Sequence, residues 1–201
     1  MIEELVLASG NPHKASEIES WFQGRGHSLR VLSANDFGGM DGCRETAKDF
    51  AGNARIKIDF LKKRVPHGSW ILADDSGLEV DVLAGQPGVY SARFAGEGAT
   101  DSQNRDLLLE RMRKVRAVRK RSARFVCVIA LGQWRKRTRY FRGECEGSVL
   151  REAAGRSGFG YDPIFVPRGY TQSFAELAQT KKNGISHRGR ALEELEKALK
   201  P

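Results

Sequence analysis

Two adjacent acids, Asp74 and Asp75, follow the apolar run Trp70-Ile71-Leu72-Ala73 and lead into Ser76-Gly77. Consecutive side chains of an extended chain point to opposite faces, so the two carboxylates can do different work. Side by side they repel, and a cation or a proton has to neutralise them. A strand ending at Ala73 would deliver one carboxylate into a cleft, where it could ligate Mg²⁺ or orient a water, while the other is structural and bonded to backbone amides. The same residues also suit a plain Asp-Asp-Ser-Gly turn, and the pair alone leaves that choice open.

Other residues with chemistry in them lie far away in sequence. Gly10-Asn11-Pro12-His13-Lys14 joins an apolar strand to a helix, where free backbone N–H groups and the positive helix end favour an anion and Lys14 adds a point charge. It lacks the Walker spacing, so taken in isolation it reads as a surface turn. Glu45 could be a second oxygen ligand or a solvated cap. Phe159-Gly160-Tyr161-Asp162 sets aromatics among glycines, as stacking on a flat base requires, although such loops also serve as packing turns. Lys182, His187 and Arg188 gather positive charge at an expected helix start, which is unfavourable unless an anion or acceptor is bound.

The elements that hold these residues alternate. Leu5–Ser9 reads as a strand covered on both faces, followed by a helix with Ile18, Trp21 and Phe22 inward and a second strand from Ser28 to Leu32. Apolar positions Phe50, Ala54, Ile58, Leu61 and Val65 predict a helix from Asp49 to Val65, with Lys57, Lys62, Lys63 and Arg64 on its wet side. Thr100 and Asp101 offer caps for a helix running to about Met112 or Lys114. Ala123–Leu131 and Thr138–Glu146 read as a hairpin, with a further strand starting at Gly147 and a short one at Ile164–Val166. His187–Leu199 forms a terminal helix.

Composition bounds the rest. With 40% apolar and 29% charged residues in 201, the chain is globular and large enough for one core or two small lobes sharing one, and a single domain over 1–201 is expected. It holds no apolar run long enough to span a bilayer, and its acidic start lacks the pattern of a signal peptide, so a cytoplasmic location is expected. Cys43, Cys127 and Cys145 fit neither a disulfide framework nor a zinc site; Cys43, near Glu45, is the one candidate for reactivity. The formal net charge of +9 attracts anions, either a polyphosphate or a nucleic-acid backbone. The basic stretch from Arg111 to Arg124 has no interleaved aromatics and reads as a solvated face, with a nonspecific nucleic-acid contact as the alternative.

In this order, Leu7–Lys14, Ala73–Asp81, Pro87–Phe94, Gly158–Phe165 and Ala175–Leu177 with Lys182–Leu192 resemble the inosine triphosphate pyrophosphatase family. The resemblance implies an elongated α/β fold, a mixed central sheet flanked by helices, two lobes with a nucleotide cleft between them, and a homodimer. It implies Mg²⁺-dependent hydrolysis of deaminated purine nucleoside triphosphates (ITP, dITP, XTP) to the monophosphate and pyrophosphate. The family's phosphate loop falls on Ser9, Gly10, Asn11, Pro12, His13 and Lys14, its base and metal carboxylate on Asp75, its second metal carboxylate on Glu45, and a substrate contact on Ser76. Phe159, Gly160, Tyr161 and Asp162 match its base-binding stretch, Lys182 its substrate lysine, and His187 with Arg188 the pair that reads the oxygen-bearing purine edge. Neither a membrane nor a specific nucleic acid is an expected partner. One departure is that Ala47 and Asp49 stand where the family has Gly and Thr, so Asp49 either alters the metal site or caps the helix. Rival readings are a pyrophosphatase with another base preference and a nucleotide or nucleic-acid binder without turnover.

Overall fold

The computed structural model describes residues 2–117 and 120–199. Met1 and, within the basic stretch, Val118 and Arg119 lie outside the described residues. Six strands form one sheet: β1 (Glu4–Leu7), β2 (Arg30–Ser33), β3 (Ile71–Val80), β4 (Ser122–Gly132), β5 (Arg139–Val149) and β6 (Phe165–Pro167), in the order β2-β1-β3-β4-β5-β6. β1 pairs in parallel with both β2 and β3, and β5 pairs antiparallel with β6, so the sheet is mixed. The helices are α1 (Pro12–Gln23), α2 (Phe50–Leu61), α3 (Asp101–Arg111), α4 (Gln179–Ile185) and α5 (His187–Leu199). No helix among the described residues is long and apolar enough to cross a membrane.

The chain divides into two compact units. The first contains residues 1–75, 127–143 and 188–201, and the second 76–126 and 144–187. In the first unit the two-residue strand period sorts the sheet side chains cleanly. Leu5, Leu7, Leu72, Cys127, Ile129 and Leu131 pack with Ile18, Trp21 and Phe22 of α1 and Leu192 and Leu195 of α5. Val6, Ala8, Ile71, Ala73 and Ala130 face the other way, onto Ala54, Ile58 and Leu61 of α2. The second unit has its own core, in which Leu78 and Val80 of β3 and Phe125 of β4 pack with Leu108 and Met112 of α3 and with Tyr161, Phe165 and Phe174.

Local chemistry sets the element ends. Asn11 caps α1 by accepting the His13 N–H, and Pro12 occupies the first turn, where its missing donor costs nothing. The Asp49 carboxylate accepts the Gly52 N–H at 2.7 Å, so the acid that departs from the family pattern is the cap of α2. Thr100 and Gln103 form a reciprocal capping box at the start of α3.

Several expectations are corrected. β3 does not stop at Ala73 but continues to Val80, which places Asp74, Asp75, Ser76 and Gly77 inside a strand rather than on a turn. No new strand starts at Gly147, because β5 runs on to Val149. A Cβ on Gly147 would stand 2.2 Å from the Val166 carbonyl oxygen, so the glycine permits the close approach of β6. Lys182 lies within helix α4 rather than at a helix start.

Candidate active site

Because Asp74 and Asp75 are consecutive in a strand, each follows its neighbours to a different face of the first unit. Asp74 is fully buried on the α1 and α5 side. Its carboxylate accepts from Arg188 Nε at 2.8 Å, from Arg188 Nη2 at 3.5 Å, from the Cys127 thiol at 3.2 Å and from Lys14 Nζ. Burial alone would raise its pKa, but the charges of Arg188 and Lys14 overcome that and hold it well below the usual carboxylate range. The Arg188 guanidinium also pairs with Glu17 on α1. Charged side chains and the Cys127 thiol thus satisfy Asp74 where backbone amides were expected.

Asp75 faces α2. Lys57 Nζ donates to its Oδ1 at 2.7 Å and lies 3.0 Å from Glu45 Oε1. Lys57 is only 7% exposed, so its reading as a wet-side residue is corrected. It lies three residues after Ala54 and four before Leu61, on the inward stripe of α2, and only its residue type suggested solvent. The segment carrying Glu45 is tied to the same helix, for Asn53 Oδ1 accepts the Ala47 N–H at 2.9 Å.

One lysine thus stands between two carboxylates. Burial opposes the charge on Glu45, yet the attraction of Lys57 outweighs it and lowers the Glu45 pKa. For Asp75 the balance goes the other way: burial and the nearby Glu45 charge outweigh Lys57 and Lys14, and its pKa is raised to about 6. Burial works against the Lys57 charge, but the two acids keep it raised. Asp75 Oδ2 is buried and accepts no hydrogen bond. A surplus of negative charge with an unsatisfied carboxylate oxygen fits a hard divalent cation, and Glu45 and Asp75 supply the one or two carboxylates that Mg²⁺ typically takes. The Asp74 carbonyl joins the two faces by accepting from Lys57 Nζ at 3.1 Å and from Lys14 Nζ at 3.3 Å. Ahead of Lys14, the Ser9 hydroxyl accepts the Asn11 N–H, and exposed Gly10 has open space around it.

In the second unit, a second group forms around a buried ion pair between Lys182 and Asp162, 2.8 Å apart and each 3% exposed. The same Asp162 oxygen accepts the Phe159 N–H at 2.9 Å, and the Lys182 ammonium lies 5.1 Å from the Phe159 ring centroid. Tyr161 donates its hydroxyl to the Ser91 carbonyl, and burial pushes its pKa up. Gly160, in a left-handed conformation at φ 59, donates to Asp101 and its carbonyl accepts from Arg105. The His187 ring stacks on Phe125 at 4.6 Å with an interplanar angle of 10°. Ser76 is half-buried in β3.

The structure therefore gathers Lys14, Glu45, Asp75 and Arg188 in the first unit, and Phe159, Gly160, Tyr161, Asp162, Lys182 and His187 in the second. Sequence reasoning missed Glu17 and Lys57. Each is a charged residue at a core position of an amphipathic helix, and that conflict was the signal that could have found it. At Cys43, burial and the Glu45 charge push the thiol pKa up, which disfavours the thiolate that reactivity needs.

The chain as a whole has known relatives. The chain is 44% identical over 196 residues to a dITP/XTP pyrophosphatase of Opitutus terrae, covering 96% of each chain. It is 47% identical over 189 residues to one of Desulforamulus reducens, covering 94% of this chain and 92% of that one. Among solved structures, a HAM1 protein from Coxiella burnetii superposes with a TM-score of 0.85 at 39% identity, covering 99% of this chain and 98% of the other. The Ham1 family model matches residues 5–198. With that match and relatives this similar along nearly the whole chain, the protein belongs to the Ham1 family.

Proposed function

We propose that this protein is a Mg²⁺-dependent nucleoside triphosphate pyrophosphatase that converts ITP, dITP and XTP to their monophosphates and pyrophosphate, cleansing the nucleotide pool. The observation that carries the proposal is Asp75, a buried carboxylate with one oxygen lacking a donor, beside Glu45 and sharing one lysine with it. The names of the relatives point to the same substrates.

Glu45 and Asp75 would hold the metal, which when bound neutralises phosphate charge and polarises the phosphorus under attack. The Ser9–Lys14 loop binds phosphate oxygens through its amides and the Lys14 ammonium. Asp75, whose pKa of about 6 leaves it largely ionised at neutral pH, accepts a proton from the water that attacks the α-phosphorus. Lys57 orients that carboxylate through the 2.7 Å bond to Oδ1, leaving Oδ2 for metal or water. Ser76 contacts substrate, Phe159 to Asp162 and Lys182 bind the base, and His187 with Arg188 favour a 6-oxo over a 6-amino group. An amino group facing a buried donor would leave both unsatisfied, at about 1–3 kcal/mol for each group. A single domain, a homodimer and a cytoplasmic location belong to the same reading.

The test is incubation with Mg²⁺ and, separately, dITP, XTP, dGTP, dATP and dTTP, measuring pyrophosphate and orthophosphate, with Asp75→Asn as control. Pyrophosphate from dITP and XTP, abolished in the control, is the expected result. Orthophosphate as the product would overturn the mechanism, and preferred turnover of dGTP, dATP or dTTP would overturn the specificity.

A further inference from the structure

The basic stretch that the proposed catalysis leaves unused helps to build a cavity in the second unit. It has a volume of about 370 Å³ and is lined by Leu109, Arg113, Val115, Arg116, Arg121 and Arg151. Four of these six side chains are guanidinium groups, and the other two are aliphatic. Arg113 is ion-paired with Glu110 at 3.5 Å, whereas no carboxylate is paired with Arg116, Arg121 or Arg151 among the described residues.

Arg121 is the fixed wall of the cavity. Only 3% exposed, it donates to the carbonyls of Met112 and Val115 beyond the end of α3 and to those of Val149 and Leu150 at the end of β5. These carbonyls engage four of its five N–H groups. Burial, and then the neighbouring charge of Arg151, both work against its protonated form. Arg151 in turn donates one N–H to the Arg116 carbonyl, which places the two residues together while leaving most of its guanidinium donors uncommitted. Positive charge is thus concentrated in a concave space without an internal counter-charge, an arrangement that an anion would relieve.

We propose that this cavity binds a compact oligophosphate anion, of the pyrophosphate or tripolyphosphate class, at a site separate from Asp75 and its partners. A polynucleotide fits the lining less well, because among the described residues its apolar members are Leu109 and Val115 and none is an aromatic on which bases could stack. The volume is also that of a small-molecule pocket rather than an extended groove.

The experiment titrates inorganic pyrophosphate into the whole protein in EDTA by calorimetry, comparing wild type with an Arg116→Gln/Arg151→Gln double variant. Arg121 is left intact because its four carbonyl bonds hold two element ends together, and thermal melting reports whether the double variant is folded. The expected result is pyrophosphate binding weakened by about tenfold or more, with dITP turnover kept at the wild-type level. Unchanged pyrophosphate affinity would overturn the proposal. So would a short single-stranded oligonucleotide that binds through these arginines where pyrophosphate does not. If the double variant fails to fold, the Nε–Hε signals of Arg116 and Arg151 in the wild type decide: a shift on pyrophosphate addition supports the site, and none overturns it. Because binding is read without turnover, failure of the proposed dITP activity would leave this result independently interpretable.

Discussion

Asp75 combines burial, a raised pKa of about 6 and an oxygen without a donor, which makes its charge a cost to the fold in the absence of a metal. An acid whose folded pKa lies above its unfolded value holds its proton more tightly when folded, so stability falls as pH rises from about 4 to about 6 and stays reduced above that. Asp75→Asn should therefore abolish pyrophosphate release and yet raise the melting temperature in EDTA above about pH 6, the gain fading as pH falls towards 4. Thermal melts of both proteins across pH check this, and an Asn variant no more stable than wild type at neutral pH would contradict it. Lys57→Met should act in the opposite direction. It leaves buried Asp75 and half-buried Glu45 with no shared cation, and urea denaturation should show a loss of about 3 kcal/mol, the low end for stripping a partner from a buried charge because Asp75 can take up a proton instead.

At the scale of elements, α3 serves the glycine-aromatic turn from outside it. Asp101 Oδ2 accepts the Gly160 N–H at 2.6 Å, and Arg105 Nη1 donates to the Gly160 carbonyl at 2.7 Å, so both sides of one residue are held by consecutive turns of a capped helix. On the reading that Phe159–Asp162 binds the base, Asp101→Ala should raise KM for dITP about threefold to tenfold with little change in kcat, and should speed hydrogen exchange at the Gly160 amide. Steady-state kinetics with exchange measurements test it; a fall in kcat at constant KM would place Asp101 elsewhere in the reaction. Element positions were largely legible in the sequence: α1, α2, α3 and α5 follow their apolar stripes, and Asn11, Asp49 and Thr100 mark the starts of the first three. The extent of β3 was not, because Asp-Asp-Ser-Gly carries turn propensity that burial on both faces overrides. Nor was the partner set of Asp74, since no local pattern tells that Lys14, Cys127 and Arg188 converge on one carboxylate across long stretches of chain.

For the molecule as a whole, the formal charge of +9 sets a long-range field that a triphosphate feels before any contact. Raising ionic strength from about 0.02 to about 0.2 M shortens the screening length roughly threefold, so kcat/KM for dITP should fall several-fold while kcat holds steady. Stopped or continuous pyrophosphate assays across a salt series check this, and a salt-independent kcat/KM would mean that the basic surface plays no part in capture. The sign of that field was readable from composition alone. Its concentration around Arg121 was not, because it depends on Arg151 folding back from the far end of β5 onto the stretch that follows α3.

The clamp on Asp74 also gives the protein an order of assembly. The first compact unit is stitched from three separated stretches, and its buried carboxylate is balanced by Lys14 near one end of the chain and Arg188 near the other. During synthesis, Asp74 leaves the ribosome long before Arg188 is made, so the nascent chain carries an acid that cannot yet be buried cheaply. Full balance of that charge requires a chain that extends past Arg188. A chain cut short before Arg188 would leave Asp74 with Lys14 as its remaining charged partner, and limited proteolysis should cleave such a chain faster than the whole protein.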